Sequence, residues 1–145
     1  MKKSREIRTG RHCVFMMHVH LVFVTKYRKR VFDSKILTEM EQIFKHICNV
    51  SESKLVEFEG EDDHVHLLVK YPPKVCISKL VNSLKGVSSR HLRKRFPQIS
   101  KHYYKGVLWS PSYFAGSCGG APLEAVKQYI EQEACSSSIV LVFDI

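Results

Sequence analysis

The chain has 145 residues, 44% hydrophobic and 26% charged, which is the size and balance of one soluble domain with a buried core. Lysine and arginine outnumber aspartate and glutamate 23 to 14, a net charge of +9, so the partner that suits it is a polyanion, either nucleic acid or an acidic membrane surface. Five cysteines without C-x-x-C spacing argue against a zinc knuckle and for isolated buried thiols, and no signal-like leader or membrane-length apolar run is present, so a reducing cytoplasmic location is expected.

Residues 1–12 are polar and cationic and predict a basic N-terminal arm. Cys13 to Thr25 is apolar except for His18 and His20, and reads as a central strand covered on both faces. The following loop, Lys26-Tyr27-Arg28-Lys29-Arg30, sets an aromatic ring among cations at a strand end, a composition suited to phosphate and base contacts, with Lys26, Arg28 and Lys29 as candidates. Apolar residues at 36, 37, 40, 43, 44 and 47 predict a helix over 34–49, capped by Asp33 or Ser34. Lys54 to Glu59 alternates Leu55, Glu57 and Glu59 against Val56 and Phe58 and reads as a strand. Gly60-Glu61-Asp62-Asp63 then turns into a second strand, His64 to Val69, making a hairpin. This acidic turn is placed either for Asp62 or Asp63 to orient a histidine or for both to be simply solvated.

Pro72-Pro73 ends that strand and Ser78 opens a second helix, with Leu80, Val81, Leu84, Val87 and Leu92 facing inward. Its outer face carries Lys79, Lys85, Arg90, Arg93, Lys94 and Arg95, with Ser88 and Ser89 between them. No acidic residue lies between Ser78 and Phe96. Cations without i, i+4 partners repel one another unless a polyanion is near, so this is the expected DNA-binding face, through Lys85, Ser88, Ser89, Arg90, Arg93 and Lys94. Tyr103 to Phe114 reads as a strand or bent hairpin whose aromatics suit a core or a stacking platform. Residues 116–120 predict a hinge, and Pro122 starts a helix over 121–135. The 136–145 tail holds a strand-like apolar run, Ile139 to Phe143, suited to an edge or a subunit contact.

Strand, helix, strand, strand, helix, strand is the α+β ferredoxin-like order, βαββαβ, here with an added C-terminal helix. RNA-recognition modules share that order, but residues 64–70 carry histidines in place of their aromatic signature, so the fold alone does not assign the function.

Two His-Val-His triplets stand out, at 18–20 and 64–66. On a strand, residues two apart leave the same face with Cα atoms ~7 Å apart, close enough for both imidazoles to converge on one metal ion. Two imidazoles leave a site that does chemistry in need of a further ligand. A helix over 121–135 would bring Tyr129 and Glu133, at i and i+4, to one face roughly 6 Å apart. A phenol and a carboxylate would then approach the histidines together.

From His12-Cys13-Val14 through His20 to Arg28, Asp63 to Val69, Ile77 to Gly86, Ser88-Ser89-Arg90, Trp109 to Phe114, Gly119-Gly120-Ala121 and Tyr129-Ile130-Glu131, the chain resembles one family along nearly its whole length. The resemblance is to the single-tyrosine transposases of insertion sequences that move as single-stranded DNA, the two-hundred/six-hundred-and-five family of the wider HUH nucleases. It implies that His64 and His66 bind the metal, that Tyr129 is the catalytic nucleophile, and that His20 and Asp63 are structural or support the metal ligands without binding the ion. It also implies Mg²⁺ or Mn²⁺ as cofactor, single-stranded DNA with hairpin ends as partner, and a homodimer in which Tyr129 can serve the other subunit's histidines. The product would be a 5′-phosphotyrosine and a free 3′-OH, with rejoining by reverse attack. Glu133 stands where the family has a metal-binding glutamine, with Gln132 one position early, so Glu133 is the expected third ligand. A non-catalytic or domesticated hairpin-binding relative and a tyrosine nuclease of chromosomal repeat palindromes are the alternatives; a replication initiator or relaxase fits less well.

Overall fold

The computed structural model describes residues 8–9, 14–15, 17–103, 106–117 and 128–131. Most of the basic arm, most of the 121–135 helix including Gln132 and Glu133, and the 136–145 tail lie outside the described residues.

The segment predicted as one strand from Cys13 to Thr25 is two. Strand β2 (Val14–Phe15) pairs antiparallel with β1 (Arg8–Thr9) in a small ribbon, and β3 (His18–Val24) enters the main sheet. Then follow α1 (Ser34–Val50), β4 (Lys54–Gly60), β5 (His64–Lys70), α2 (Ile77–Arg95), the single-turn α3 (Pro97–Ser100) and β6 (Phe114–Ser117). The main sheet has the order β4-β5-β3-β6 with every pair antiparallel. From β3 to β6 this is βαββαβ, with its first and third strands central, the ferredoxin-like arrangement.

One sheet face is dry. Leu21 and Phe23 of β3 and Val65, Leu67 and Val69 of β5 are buried in one apolar cluster with Ile36, Met40 and Phe44 of α1 and Leu80, Leu84 and Leu92 of α2. Each such side chain contributes about 1.5–3 kcal/mol by leaving water. Asp33 caps α1 by accepting from the Ile36 amide at 2.9 Å, satisfying one of the free donors of the first turn. In α2 the inward stripe is Leu80, Val81, Leu84, Ser88 and Leu92. Val87, expected inside, is 37% exposed, because the i, i+4 row from Leu84 to Leu92 passes through Ser88.

Simple alternation also fails in β4. The register against β5 shifts between Leu55 and Glu57, a bulge that leaves Val56 41% exposed and turns both Leu55 and Phe58 toward the core. Gly116 and Ser117, predicted to begin a hinge, are strand residues of β6. Of the cysteines among the described residues, Cys48 is buried, and burial pushes its thiol up to about 11, while Cys76 is exposed rather than buried as expected. No helix of the described residues is long and apolar enough to cross a membrane.

Candidate active site

The register of β3 and β5 places the histidines. His66 lies opposite Val22, His64 opposite Val24 and Leu68 opposite His20, so all three imidazoles rise from the sheet face turned away from α1 and α2. The His64 and His66 ring centroids are 5.1 Å apart, and His20 stacks on His66 at 5.6 Å with the planes 23° apart. Both His-Val-His triplets therefore share a face, but only His20 of the first reaches the second pair; His18 lies opposite Lys70 at the far end of β5. Burial holds the His66 imidazole at a pKa of about 4, helped by the neighbouring His64 and His20. Burial likewise lowers that of His20, against the opposing effect of Glu57. At neutral pH both rings are neutral, the state in which an imidazole nitrogen can donate its lone pair to a cation.

Asp63, not Asp62, orients the first histidine. Asp63 is 3% exposed, and its Oδ1 accepts from His64 Nδ1 at 2.8 Å, while Asp62 lies in solvent 3.8 Å from Arg30. An ionised carboxylate only accepts, so the hydrogen sits on Nδ1 and the His64 Nε2 lone pair is left for a ligand. Burial would raise the Asp63 pKa, but the hydrogen bonds and charges of His64 and Arg28 outweigh it and hold the group below the ordinary carboxylate range. These donors fit a divalent cation. Among the described residues no group of three or more histidine, cysteine, aspartate or glutamate side chains completes a site, and the expected third ligand, Glu133, lies outside them.

Residues 128–131 are helical, and Tyr129 is wholly buried. Its ring packs on Val22, Val24 and Phe114, 6.3 Å from the Phe114 ring, so it covers β3 and β6 on the histidine face. The histidines of β5 stand one strand farther on. The phenol oxygen is 3.0 Å from Ser112 Oγ. Nothing in the sequence assigns a role to Ser112 beyond a hydroxyl in the aromatic run before β6.

The basic residues divide into two groups. Lys85 does not reach into solvent: its Nζ donates to the Ser110 and Ser112 carbonyls at 2.6 and 2.9 Å and lies over the Phe23 and Tyr113 rings. Ser88, expected at a DNA surface, is instead buried, its hydroxyl accepting from Trp109 Nε1 at 3.0 Å. Arg28 also turns inward, with Nε on Asp63 at 2.7 Å and Nη1 on the Ile130 carbonyl at 2.8 Å. Ser89 is half-buried and accepts from Arg93 Nε at 3.1 Å, and the Arg93 guanidinium passes over Gly106, where a Cβ would lie 3.1 Å from it. Arg90 and Lys94 are exposed. The lack of acids within α2 is partly met from outside the helix, since Glu39 of α1 takes His91 at 2.9 Å and Arg95 at 3.4 Å. At the end of β3, Tyr27 is 61% exposed beside Lys26, and Lys29 lies over the Tyr103 ring.

Residues 13–133 match the family described as Transposase IS200 like. The chain is 30% identical over 128 residues to the ISDra2 transposase TnpA of Deinococcus radiodurans, spanning 88% of this chain and 91% of that protein. It is 28% identical over 114 residues to the transposase for insertion sequence element IS200 of Salmonella typhimurium, spanning 79% and 74%. Among solved structures, a transposase of Deinococcus radiodurans R1 superposes with a TM-score of 0.82 at 31% identity, covering 89% of this chain and 99% of that one. A REP-associated tyrosine transposase, solved bound to a REP hairpin, shares the fold at a TM-score of 0.53 and 8% identity, over 86% and 68%.

Proposed function

The chain belongs to the IS200-like transposase family, and from that premise we propose that it cuts and rejoins single-stranded DNA with Tyr129 as nucleophile and a divalent cation held by His64 and His66. The observation that carries the reading is the pair of imidazoles, their ring centroids 5.1 Å apart, with Asp63 Oδ1 on His64 Nδ1 so that Nε2 faces away from it, on the same sheet face as Tyr129.

In the forward step the phenol oxygen bonds to phosphorus as the P–O3′ bond breaks. The phenol gives up its proton and the departing 3′-oxygen takes one, leaving a 5′-phosphotyrosine and a 3′-OH. A free tyrosine has a pKa of ~10, so the phenol is a weak nucleophile at neutral pH and needs assistance. Mg²⁺ or Mn²⁺ at the imidazoles, with Glu133 as the third protein ligand, supplies charge stabilisation at the scissile phosphate. The rest is the work of the chain: Asp63 orients His64, His20 backs His66, and Ser112 holds the phenol in its docked position. Because the phosphodiester energy is kept in the covalent link, attack by another 3′-OH rejoins strands without ATP.

The wholly buried Tyr129 must leave its pocket before it attacks. A homodimer in which it serves the partner's histidines belongs to the same proposal, since in its own subunit the phenol docks one strand away from them. Hairpin recognition is assigned to the exposed cations Arg90 and Lys94 with Lys26, Lys29 and Tyr27, and it draws support from the REP hairpin bound by a protein of the same fold. The burial of Tyr129 equally favours a second reading, a hairpin-binding relative that no longer cuts.

The deciding experiment incubates the chain with Mn²⁺ or Mg²⁺ and single-stranded DNA carrying an element end, then resolves products on a denaturing gel beside Tyr129→Phe. A metal-dependent covalent adduct absent from the variant is expected. Retarded DNA without an adduct under either metal would establish the second reading instead.

A further inference from the structure

Arg28 touches two parts of the site at once. Its Nε donates to Asp63 Oδ2 at 2.7 Å, its Nη1 donates to the Ile130 carbonyl at 2.8 Å, and the other Asp63 oxygen holds His64 Nδ1 at 2.8 Å. One chain of hydrogen bonds thus runs from the residue after Tyr129, through Arg28 and Asp63, to an imidazole of the histidine pair.

The turn that presents Arg28 is shaped for this contact. Tyr27 and Arg28 have φ values of 61° and 52°, a left-handed conformation that non-glycine residues adopt only where the surroundings impose it. Here they do. The Thr25 amide donates to the Asp63 carbonyl at 3.0 Å, the Phe32 amide to the Asp62 carbonyl at 3.0 Å, and the Lys26 amide to the Leu108 carbonyl at 2.9 Å. The strained pair is therefore stitched on both sides, twice to the residues that immediately precede His64. A solvated basic loop would need none of this.

We propose that Arg28 is a positioning residue that couples the Tyr129 helix to the His64 imidazole. This rests on the roles of Tyr129 and His64 proposed above. While the helix is docked, the guanidinium spans Ile130 and Asp63, and Asp63 keeps His64 in its Nδ1–H form. When Tyr129 leaves its pocket to meet a phosphate, the bond to Ile130 breaks and Nη1 becomes a charged donor beside the histidines. A backbone phosphate oxygen is the group that suits a guanidinium with one edge already fixed on a carboxylate. Exchange of a carbonyl for a phosphate makes DNA binding and helix release parts of one equilibrium.

The test uses the full chain labelled with ¹⁵N, read by the ¹⁵N shifts of the His64 ring, which report its tautomer, and by amide exchange at residues 129–131, with thermal unfolding as the folding control. In Arg28→Ala, His64 is expected to become a mixture of tautomers and the amides to exchange about tenfold faster. Arg28→Lys keeps a cation beside Asp63 but not the span to Ile130, so it should retain the tautomer and still speed exchange. Added to wild type, a single-stranded oligonucleotide should speed exchange at 129–131 while the His64 tautomer stays. A wild-type tautomer and wild-type exchange in a folded Arg28→Ala would overturn the coupling. Adduct formation judges the proposed function separately: no adduct from wild type, with both Arg28 effects present, would leave the coupling standing and remove the reaction it was proposed to serve.

Discussion

The two faces of the central strand pair, β3 and β5, use alternate residues of the same strands for opposite ends. On the helix side, Leu21, Phe23, Val65, Leu67 and Val69 sit in a dry apolar layer, where shape and volume are all that matter. On the other side, His20, His64 and His66 are half-buried, burial keeps His66 neutral and Asp63 orients His64, and a tyrosine that hydrogen-bonds to Ser112 docks on the same face over Val22, Val24 and Phe114. The core lies on one face and the proposed chemistry on the other, one residue apart. Substituting Val65 or Leu67 should therefore affect folding, and substituting His64 or His66 should affect metal binding.

The sharpest way to break this comparison is His66→Ala beside Leu67→Ala. His66→Ala should weaken Mn²⁺ binding, followed by the metal's paramagnetic resonance, by on the order of a hundredfold while the unfolding temperature changes little. Leu67→Ala should cost about 2–5 kcal/mol in denaturant unfolding and leave Mn²⁺ affinity per folded molecule unchanged. If His66→Ala proves as destabilising as Leu67→Ala and binds Mn²⁺ like wild type, the division between faces is wrong.

A smaller effect comes from pH. The His66 pKa is about 4 when folded, below the ordinary 6.5, so between those values the unfolded chain binds more protons. Stability without metal should be full above pH 6.5 and fall as the pH drops toward 4, by roughly 1–2 kcal/mol because the ring is only half-buried. His66→Gln should flatten that slope, and Leu67→Ala should not.

Smallest of all are the exposed cations of α2. Arg90→Gln and Lys94→Gln should each reduce the slope of log affinity against log salt for hairpin DNA by about one, with unfolding unchanged. Lys85→Gln should behave otherwise. Its ammonium fastens the Ser110 and Ser112 carbonyls, so it should loosen the loop that holds Tyr129 and lower stability by about 1–3 kcal/mol, measured by thermal unfolding.

Much of this was legible from local pattern. The helical stripe from Ile36 to Ile47, the Asp33 cap and the hairpin into His64 are short-range rules, and the order of elements then permits few sheets other than the ferredoxin-like one. The histidine pair was legible for the same reason, since period two on a strand is local geometry. Patterns misled where a local rule met a distant partner. Ser88 reads as surface until Trp109, 21 residues away, comes to its hydroxyl, and α2 reads as unbalanced until Glu39 arrives from another helix. The bulge at Val56 is likewise set by pairing with β5 and not by β4 itself.

By itself, then, the sequence determined most of the elements, the shared face of His64 and His66 and the positive charge that suits a nucleic-acid partner, because periodicity, capping and composition act over a few residues. Only the tertiary structure decided that Asp63 rather than Asp62 meets His64, that Lys85, Ser88 and Arg28 turn inward, and that Tyr129 docks beneath Ser112 and is tied through Arg28 to the histidines. Those contacts join residues 17 to 102 positions apart, apart from the adjacent pair Asp63 and His64, whose geometry is set by Arg28 from 35 positions away. Which of several similar polar side chains ends up buried and paired depends on how whole elements pack, and no local pattern carries that information.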